Sequence, residues 1–347
     1  MTQTLDDIIT RVAAYTVSRD MEHESWERAT AVNGLLANEI RIDEAHELVE
    51  SAVETQTSAG QLAYGYGDQA SFRESRSREW TKYDLSSYFP TANTASMASS
   101  VLEFYDRTGD ERYLDAVRKQ YEYFETVDRT RDGGISRRDG PIELFTEVLY
   151  FLCPWYVRYG LLTDNDEPVE DAVHQIKIHA KHLQDPHTGL FRHIWRETPD
   201  YYPASEYWGR GVGWATAGLI DTLGLLPEDH SERETVREIL ERVVDGLLVY
   251  QDDTGFWRQR VDDTKSPLEL SGTAFFTYTI QRALNEGILD GAPYAAAAEK
   301  GMDACIGAVR EDGAVQRVAK PPASSFAPLG ITSYGQGSFL LAASCFV

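Results

Sequence analysis

The chain has 347 residues, of which 42% are hydrophobic and 11% aromatic, and this composition is sufficient for a large core. No apolar run approaches the roughly 18 residues that are needed to cross a membrane, so we expect no membrane-spanning segment. The 56 acidic and 33 basic residues give a net charge of −23 without a basic stripe, which excludes nucleic acid as a partner.

Apolar residues recur at helical spacing along the whole chain and predict twelve helices, or six helical hairpins. A capping box at Ser231 and Glu234 supports one of the predicted helix starts. In chain order, the predicted helices span residues 4–17, 27–39, 42–53, 91–105, 111–127, 143–159, 169–183, 211–225, 231–250, 268–284, 294–309 and 334–346.

A short phrase occurs four times: an acidic residue, a glycine, an apolar residue and then arginine or glutamine. Its glycines, at positions 134, 189, 255 and 313, are separated by 55, 66 and 58 residues, which suits a unit of two helices and a turn. Because each phrase alternates polar and apolar residues, we expect a short β-hairpin strand there. The phrases predict a cyclic or solenoidal fold with all hairpins on one rim. They begin at Asp132, Asp185, Asp253 and Asp312.

The repeat extends over most of the chain without a Pro/Ser-rich linker or a charge block, so we expect a single domain over residues 1–347. The first 20 residues lack the basic start and cleavage site of a signal peptide. The three cysteines, Cys153, Cys305 and Cys345, are odd in number and have no ligand-like spacing. These features predict a cytoplasmic protein without disulfides or a bound metal.

The basic residues are strongly biased, with 26 arginines and only seven lysines. An acidic, lysine-poor surface is typical of proteins from a very salty cytoplasm. A genome of high G and C content would also favour arginine over lysine. We expect a halophilic protein, as a statement about solubility rather than about the fold.

The densest constellation of functional side chains is Tyr207-Trp208-Gly209-Arg210-Gly211-Val212-Gly213-Trp214. At a helix start, two indoles, a guanidinium and three glycines suit a flat polar ligand. The indoles can stack on a sugar, the guanidinium can bind a carboxylate, and glycine lets backbone amides approach. The same residues could equally form a rigid packing corner in which the arginine makes a structural ion pair.

The run from Trp208 to Trp214 resembles the WGRGNGW signature of the unsaturated uronyl hydrolases of glycoside hydrolase families 88 and 105, especially the rhamnogalacturonyl hydrolases. Three further segments are similar and occur in the same order. They are 250–257, 269–275 and 334–342. The resemblance extends from about Asn93 to the C-terminus and implies an all-α, (α/α)6 barrel whose site lies where the inner helices begin.

The resemblance also implies a reaction, removal of a 4,5-unsaturated uronic acid from the non-reducing end of a lyase-generated oligosaccharide. A carboxylic acid protonates C4 of the vinyl ether, water adds at C5, and the remaining oligosaccharide is released. No cofactor is implied. Two other functions remain open: a glycosidase or epimerase acting on a saturated uronide, and a non-catalytic sugar-binding relative.

Matching the family motifs residue by residue gives two candidate catalytic residues. Glu147, in Phe145-Thr146-Glu147-Val148-Leu149-Tyr150, replaces the family's catalytic aspartate, and its carboxyl lies one methylene further from the backbone. Asn93 replaces a second family aspartate, and an amide cannot take up a proton. Glu143, four residues before Glu147, is a possible substitute acid, although we expect an ordinary solvated glutamate in the first turn of a helix.

The resemblance assigns substrate binding to His193, Trp208, Arg210 and Trp214. Because Arg137, Arg192 and Arg258 recur with the repeat, we expect them to pair with carboxylates of the turns instead. Rim lining and helix capping are both open for Glu269 and Tyr334. The expected partner is an unsaturated uronyl oligosaccharide, bound by a monomer or a small homo-oligomer.

Overall fold

The computed structural model describes residues 4–21, 26–62, 91–137, 141–321 and 326–347. Most of these residues are helical. The α-helices in this part of the chain are α1 (Leu5–Val17), α2 (Trp26–Ala37), α3 (Ile42–Glu54), α4 (Ala98–Thr108), α5 (Glu111–Phe124), α6 (Val148–Phe151), α7 (Cys153–Thr163), α8 (Asp166–Leu183), α9 (Gly209–Leu225), α10 (Arg233–Val249), α11 (Leu270–Asn285), α12 (Ala292–Gly307) and α13 (Ser333–Ala343). A 3-10 helix, Thr91–Ala95, precedes α4.

The helices form two concentric rings, which confirms the (α/α)6 barrel. In the inner ring, α2 contacts α4, α4 contacts α7, the α6–α7 pair contacts α9, and α9 contacts α11. The ring closes because α11 packs on α13 and α13 packs on α2. The outer ring consists of α1, α3, α5, α8, α10 and α12. In the described part of the chain, the twelve helices predicted from the helical periodicity are all present, with the predicted helix over 143–159 divided into α6 and α7.

Short strands connect outer helices to the next inner helices, as the repeated phrases predicted. Strands β1 (Glu143–Phe145), β2 (Ile194–Arg196) and β3 (Tyr201–Ala204) form an antiparallel sheet. Two further hairpins pair β4 (Trp257–Arg258) with β5 (Leu268–Glu269), and β6 (Val318–Ala319) with β7 (Leu329–Gly330). Isolated antiparallel bridges close the turns of three of the phrases by joining residue 129 to 135, 184 to 191 and 309 to 315.

Glycines with positive φ form the turns that join the repeat units. A side chain on Gly189, Gly255 or Gly313 would collide with a backbone carbonyl of an outer helix, at 2.1, 2.1 and 2.2 Å respectively. For Gly313 that carbonyl belongs to Arg11 in α1, so this turn closes the ring. The sequence missed one unit: Gly60, with φ +98°, packs on α5 in the same way.

The predicted helix over 143–159 is wrong in its first third. Residues 143–145 form β1 instead, and the following helix is interrupted at Leu152, where φ is −125° and ψ is −56°. Pro154 follows in the first turn of α7, where its missing N–H removes no helical hydrogen bond. As a result, Glu147 is the N-cap of α6 rather than an interior residue of a long helix.

Candidate active site

All the sequence-predicted site residues except Trp214 lie at the rim where the inner helices begin. Asn93 lies in the 3-10 helix, Glu147 at the N-cap of α6, and Trp208 at the N-cap of α9, with Arg210 in the first turn of α9. Tyr334 lies in the first turn of α13. Because the N-terminus of a helix carries partial positive charge, converging helix starts favour an anionic ligand at this rim.

Glu147 is buried and has two polar partners. Its Oε1 lies 3.1 Å from Nε2 of His193, and its Oε2 accepts a hydrogen bond of 3.1 Å from Oγ1 of Thr146. Burial raises the pKa of the Glu147 carboxyl, but the charge and hydrogen bond of His193, together with the backbone and Thr146, outweigh burial. The pKa therefore lies below its ordinary value of 4.5, and the carboxyl is ionised at neutral pH.

His193 joins the acid to the aromatic part of the site. The imidazole centroid lies 4.6 Å from the ring of Trp208 and 6.5 Å from that of Phe145. The backbone carbonyl of His193 also accepts a hydrogen bond from the Thr146 amide, at 3.3 Å. This arrangement arises because the turn at Gly189 directs the chain along β2, which pairs with β1 just before Glu147. The predicted neighbourhood of Glu147, His193 and Trp208 is thereby formed.

Arg210 is fully buried among three aromatic rings. Its guanidinium carbon lies 4.3 Å from the ring of Trp208, 4.8 Å from Tyr334 and 5.6 Å from Trp26. Nη1 donates hydrogen bonds to the carbonyl of Ala319 and to the hydroxyl of Tyr334. Ring faces attract a cation and fix its plane, so the guanidinium is held in one orientation.

Several buried polar atoms at this rim have no hydrogen-bond partner among the described residues. They are Nε and Nη2 of Arg210, Nε1 of Trp208 and Oδ1 of Asn93. Three of these atoms are donors and one is an acceptor. Because a buried polar group without a partner destabilises a fold by about 1–3 kcal/mol, a set of them at one rim indicates a place where a ligand supplies the missing partners.

Of the remaining predicted residues, Asn93 lies near Glu147, whereas Trp214 lies in the core. The 3-10 helix of Asn93 packs against α6, the helix that Glu147 begins. Trp214 lies one helical turn beyond Arg210 and is buried between Phe275 and Phe151, with ring distances of 4.4 and 4.8 Å. Its environment is that of a core residue, so the structure does not bring Trp214 to the polar atoms of the site.

Trp26 is a site residue that sequence reasoning missed. It begins α2, and its ring lies 4.7 Å from Tyr334 and edge-on to Trp214 at 5.9 Å. It thus connects the Arg210 cage to the aromatic core. The sequence could have indicated this role, because Trp26 stands at the start of a predicted inner helix, as Trp208 does.

Glu143 corrects a second expectation. It is neither helical nor solvated: its side chain is 1% exposed in β1, and it binds Arg137 at 3.2 Å and Nε of Arg196 at 2.8 Å. Each oxygen of this buried carboxylate accepts a hydrogen bond from a guanidinium group and is turned away from solvent. Glu143 is therefore not a substitute for Glu147 as the acid.

The recurring arginines behave largely as predicted. Arg192 pairs with Asp185 at 2.7 Å, and Arg258 pairs with Asp252 at 2.5 Å, both carboxylates of the turns. Arg137 pairs at 3.2 Å with Glu143, a carboxylate of β1 and not of a turn.

Glu269 is a helix cap. Its carboxylate accepts hydrogen bonds from the backbone amides of Ser271, Gly272 and Ala319, each at 2.8 or 2.9 Å. The carbonyl of Ala319 in turn accepts from Arg210 and Tyr334. Between the two alternatives that the sequence left open, Glu269 takes the capping role and supports the strand that holds Arg210, whereas Tyr334 lines the site.

Within the described ranges, no group of three or more His, Cys, Asp and Glu side chains is arranged to hold a metal ion. None of the helices in those ranges is both long and apolar enough to span a membrane. All three cysteines are free thiols.

Comparison with known proteins identifies related sequences over most of the chain. The sequence model described as Glycosyl Hydrolase Family 88 matches residues 3–346. An unsaturated rhamnogalacturonyl hydrolase of Bacillus subtilis (strain 168) is 26% identical over 251 residues, which are 70% of this chain and 71% of that protein. An unsaturated 3S-rhamnoglycuronyl hydrolase of Alteromonas sp. (strain LOR) is 35% identical over 144 residues, 40% of this chain and 34% of that protein.

Solved structures share the architecture over nearly the whole chain. A possible member of the GH105 family from Klebsiella pneumoniae superposes with a TM-score of 0.80 at 21% identity, covering 100% of this chain and 93% of that one. An unsaturated glucuronyl hydrolase from Bacillus sp. GL1, responsible for the degradation of glycosaminoglycan, has a TM-score of 0.72 at 14% identity, covering 99% and 96%.

Proposed function

The chain belongs to Glycosyl Hydrolase Family 88, and from that membership and the site geometry we propose the following function. The protein is a hydrolase that removes the 4,5-unsaturated uronic acid from the non-reducing end of oligosaccharides released by a polysaccharide lyase. Relatives with this activity in their names, from Bacillus subtilis and Alteromonas, support the assignment. Glu147 is the catalytic acid, and Asn93 orients the carboxyl or the water.

The proposal rests mainly on the two unpartnered N–H groups of the Arg210 guanidinium. Its Nε and Nη2 are buried without protein partners in the described chain, while three rings and Nη1 fix its plane. Two adjacent N–H donors in one plane match the two oxygens of a carboxylate. The substrate's uronate carboxylate supplies those oxygens, so that C4 and C5 of the sugar lie on the side of Glu147 and His193. Nε1 of Trp208 donates to a sugar oxygen.

The reaction needs one positioned acid. Transfer of a proton to C4 of the vinyl ether places positive charge on C5 and the ring oxygen, and water adds at C5. The resulting hemiketal opens to a ketone at C5 and a hemiacetal at C1, which releases the remaining oligosaccharide as an alcohol. One water is consumed overall. A positioned general acid contributes about 10²- to 10⁴-fold to such a rate.

The low pKa of Glu147 in the free protein has to be reversed for this step. Entry of an anionic sugar displaces water and brings a like charge toward the carboxylate, and both effects raise the pKa of a carboxyl. His193, in hydrogen-bond contact at 3.1 Å, holds the carboxyl of Glu147 in one orientation.

The remaining features of the protein belong to the same proposal. The enzyme is one domain over residues 1–347 that acts in the cytoplasm, as a monomer or small homo-oligomer, on lyase products taken up by the cell. Three free thiols are compatible with a reducing compartment.

The test is a panel of unsaturated disaccharides from pectin, glycosaminoglycan and ulvan. The conjugated acid of each absorbs in the ultraviolet, and its hydration abolishes that absorbance. We expect loss of the band with at least one of them. If none loses absorbance at any salt concentration up to the molar range, the protein is not this hydrolase. Turnover of a saturated aryl glucuronide instead would indicate a glycosidase of another kind.

A further inference from the structure

The side chain of Thr146 places a buried hydroxyl in direct contact with the proposed acid. Thr146 precedes Glu147 in the chain and is fully buried, and its Oγ1 donates to Oε2 of Glu147 at 3.1 Å. The other carboxylate oxygen, Oε1, lies 3.1 Å from Nε2 of His193. Each oxygen of the acid therefore has its own protein partner, and the two partners differ in their chemistry.

Backbone contacts hold Thr146 in place independently of its hydroxyl. Its amide donates to the carbonyl of His193 at 3.3 Å, and its carbonyl accepts from the amide of Leu149 at 3.1 Å. A side chain on Gly211 of α9 would come within 3.1 Å of Oγ1 of Thr146 and within 3.3 Å of the His193 ring. The glycine thus leaves room for both partners of the carboxylate, and the fold keeps the hydroxyl beside Oε2.

The two partners respond differently when the carboxyl takes up a proton. Because Glu147 is ionised in the free protein, Nε2 of His193 is the donor in their contact. A ring nitrogen that carries a hydrogen can only donate, so it conflicts with a proton on Oε1. A hydroxyl has one donor and two acceptor sites and can rotate, so Thr146 can contact Oε2 in either protonation state. The proton of the acid form accordingly belongs on Oε2.

The length of the Glu147 side chain makes these two contacts more important. Glutamate has one more rotatable bond than the aspartate of the family motif, and it loses more side-chain freedom when it is fixed. Partners on both oxygens, Thr146 just before α6 and His193 just before β2, fix the plane of the carboxyl group. The hydroxyl is therefore one of two groups that orient this longer acid.

Other charged groups near the acid come from the elements that pack on α6, which are the 3-10 helix, α7, α8 and α9. Apart from tyrosines, the other buried charged or titratable side chains that the structure describes on these elements and on β1 are Arg210, His179, Cys153 and Glu143. Arg210 and Glu143 are held by partners other than the acid. Burial raises the pKa of the Cys153 thiol and lowers the pKa of His179 to about 4, so both are uncharged at neutral pH. Of the side chains that lower the pKa of the acid, His193 supplies charge and Thr146 a hydrogen bond.

We propose that Thr146 is a positioning residue that places the acidic proton of Glu147 on Oε2 and stabilises the carboxylate formed when that proton is transferred. The bond between Oε2 and the proton breaks while a bond to C4 of the sugar forms from the electrons of the double bond. Negative charge then develops on the carboxyl group, and a donor already aimed at Oε2 stabilises it. The proposal rests on the hydrolase function above, because it takes Glu147 as the acid.

The test compares Thr146→Val, which removes the hydroxyl but keeps the branched shape, with Thr146→Ser, which keeps the hydroxyl. At pH values where the acid is protonated, we expect Thr146→Val to lower kcat by about 10-fold or more, the range for a lost hydrogen bond to a charged group, with little change in KM. Because a donor to the charged form is lost, the pKa of Glu147 rises. The alkaline limb of kcat/KM should therefore move to higher pH in Thr146→Val and stay in place in Thr146→Ser.

Thr222→Val is the matched control for the loss of a buried hydroxyl. Thr222 is fully buried further along α9, and its Oγ1 has no hydrogen-bond partner within the described chain. We expect this variant to keep the wild-type kcat and pH profile. Equal effects of Thr146→Val and Thr146→Ser, or an unchanged kcat and limb in Thr146→Val, would overturn the proposal. If Thr146→Val does not fold, Thr146→Ala removes the same hydroxyl and takes its place in the comparison.

A titration of the acid separates this proposal from the function itself. The carboxyl carbon of Glu147 can be followed by NMR in protein with carbon-13-labelled glutamate, and Glu147→Gln identifies its signal. We expect a higher pKa in Thr146→Val than in the wild type and in Thr146→Ser. If the wild type bleaches no unsaturated disaccharide but this shift appears, the hydrolase function is wrong and the control of the carboxyl by Thr146 stands. If disaccharides are bleached but neither the limb nor the NMR signal moves, the function stands and the role of Thr146 is wrong.

Discussion

Nε2 of His193 lies 3.1 Å from Oε1 of Glu147, and the two side chains are only 6% and 7% exposed. Burial alone would raise the pKa of the carboxyl, so the imidazole is the partner that keeps Glu147 ionised in the free protein. Thr146 and the backbone also lower this pKa, but His193 has the largest effect of the partners that do so. The protonation state of the proposed acid therefore depends chiefly on a residue 46 positions away in the chain.

Glu147→Gln tests the identity of the acid. The amide preserves the shape of the side chain but has no proton to give, so we expect turnover to fall by at least about 100-fold while substrate binding survives. The measurement is the rate of ultraviolet bleaching together with the Kd from calorimetry.

Glu143→Gln is the comparison for that variant. It gives the partly exposed guanidinium groups of Arg137 and Arg196 a neutral partner in place of the Glu143 carboxylate, and we expect a lower melting temperature with the chemical step retained. If Glu143→Gln abolished bleaching and Glu147→Gln did not, the acid would have been assigned to the wrong carboxyl.

His193→Gln tests how the pKa of the acid is set. Without the imidazole, burial is the dominant influence and the pKa of Glu147 rises. Because a general acid loses activity as pH rises through its pKa, the alkaline limb of kcat/KM should move to higher pH. A pH profile of bleaching measures this shift, and a profile that stayed in place with only KM raised would leave His193 as a sugar contact.

The lowered pKa of Glu147 also makes the stability of the fold depend on pH. A carboxyl whose folded-state pKa lies below 4.5 stabilises the fold fully above pH 4.5, and this stabilisation is lost as pH falls through the folded-state value. His193→Gln should therefore be less destabilising in acid than at neutral pH, which thermal unfolding at the two pH values measures.

Asn93→Leu separates a functional role of Asn93 from a structural one. Oδ1 of Asn93 is buried without a partner in the described chain, and replacing such a group by an apolar one of similar size is close to neutral for stability. We expect an unchanged melting temperature and a lower kcat. A marked loss of stability with normal kcat would show that the amide serves the fold.

The architecture was predictable because it depends on local patterns. Helical periodicity predicted the twelve helices and the repeated glycine turns predicted a cyclic or solenoidal arrangement, which the family resemblance narrowed to a closed barrel. The predictions that were wrong concern residues whose environment depends on contacts with residues distant in the sequence. The partners of Glu143 come from the registers of β1 and β2 and from Arg137, and no periodicity encodes a register between strands 50 residues apart. Likewise, Trp214 belongs to the site motif in sequence but packs into the core.

Arg210→Lys tests the carboxylate contact. A lysine keeps the charge but loses the planar pair of donors and the stacking on three rings, so we expect a higher KM with kcat less affected. Arg258→Lys is the control, because Arg258 lies on the same rim and pairs with Asp252. An unchanged KM in Arg210→Lys would remove this residue from the binding site.

The last prediction concerns salt. With a net charge of −23, the overall field of the protein opposes both its own compaction and the approach of an anionic substrate. At about 1 M salt the Debye length falls to roughly 3 Å, so repulsion between surface carboxylates is screened while the buried contacts of Arg210 and Glu147 persist. We therefore expect the melting temperature and kcat/KM to rise together as potassium or sodium chloride increases into the molar range. Sucrose at matched osmolality is the control, since an excluded osmolyte stabilises folds without screening charge. If the protein is fully folded and fastest in dilute buffer, the halophilic interpretation of its composition is wrong and only genome composition explains the arginine bias.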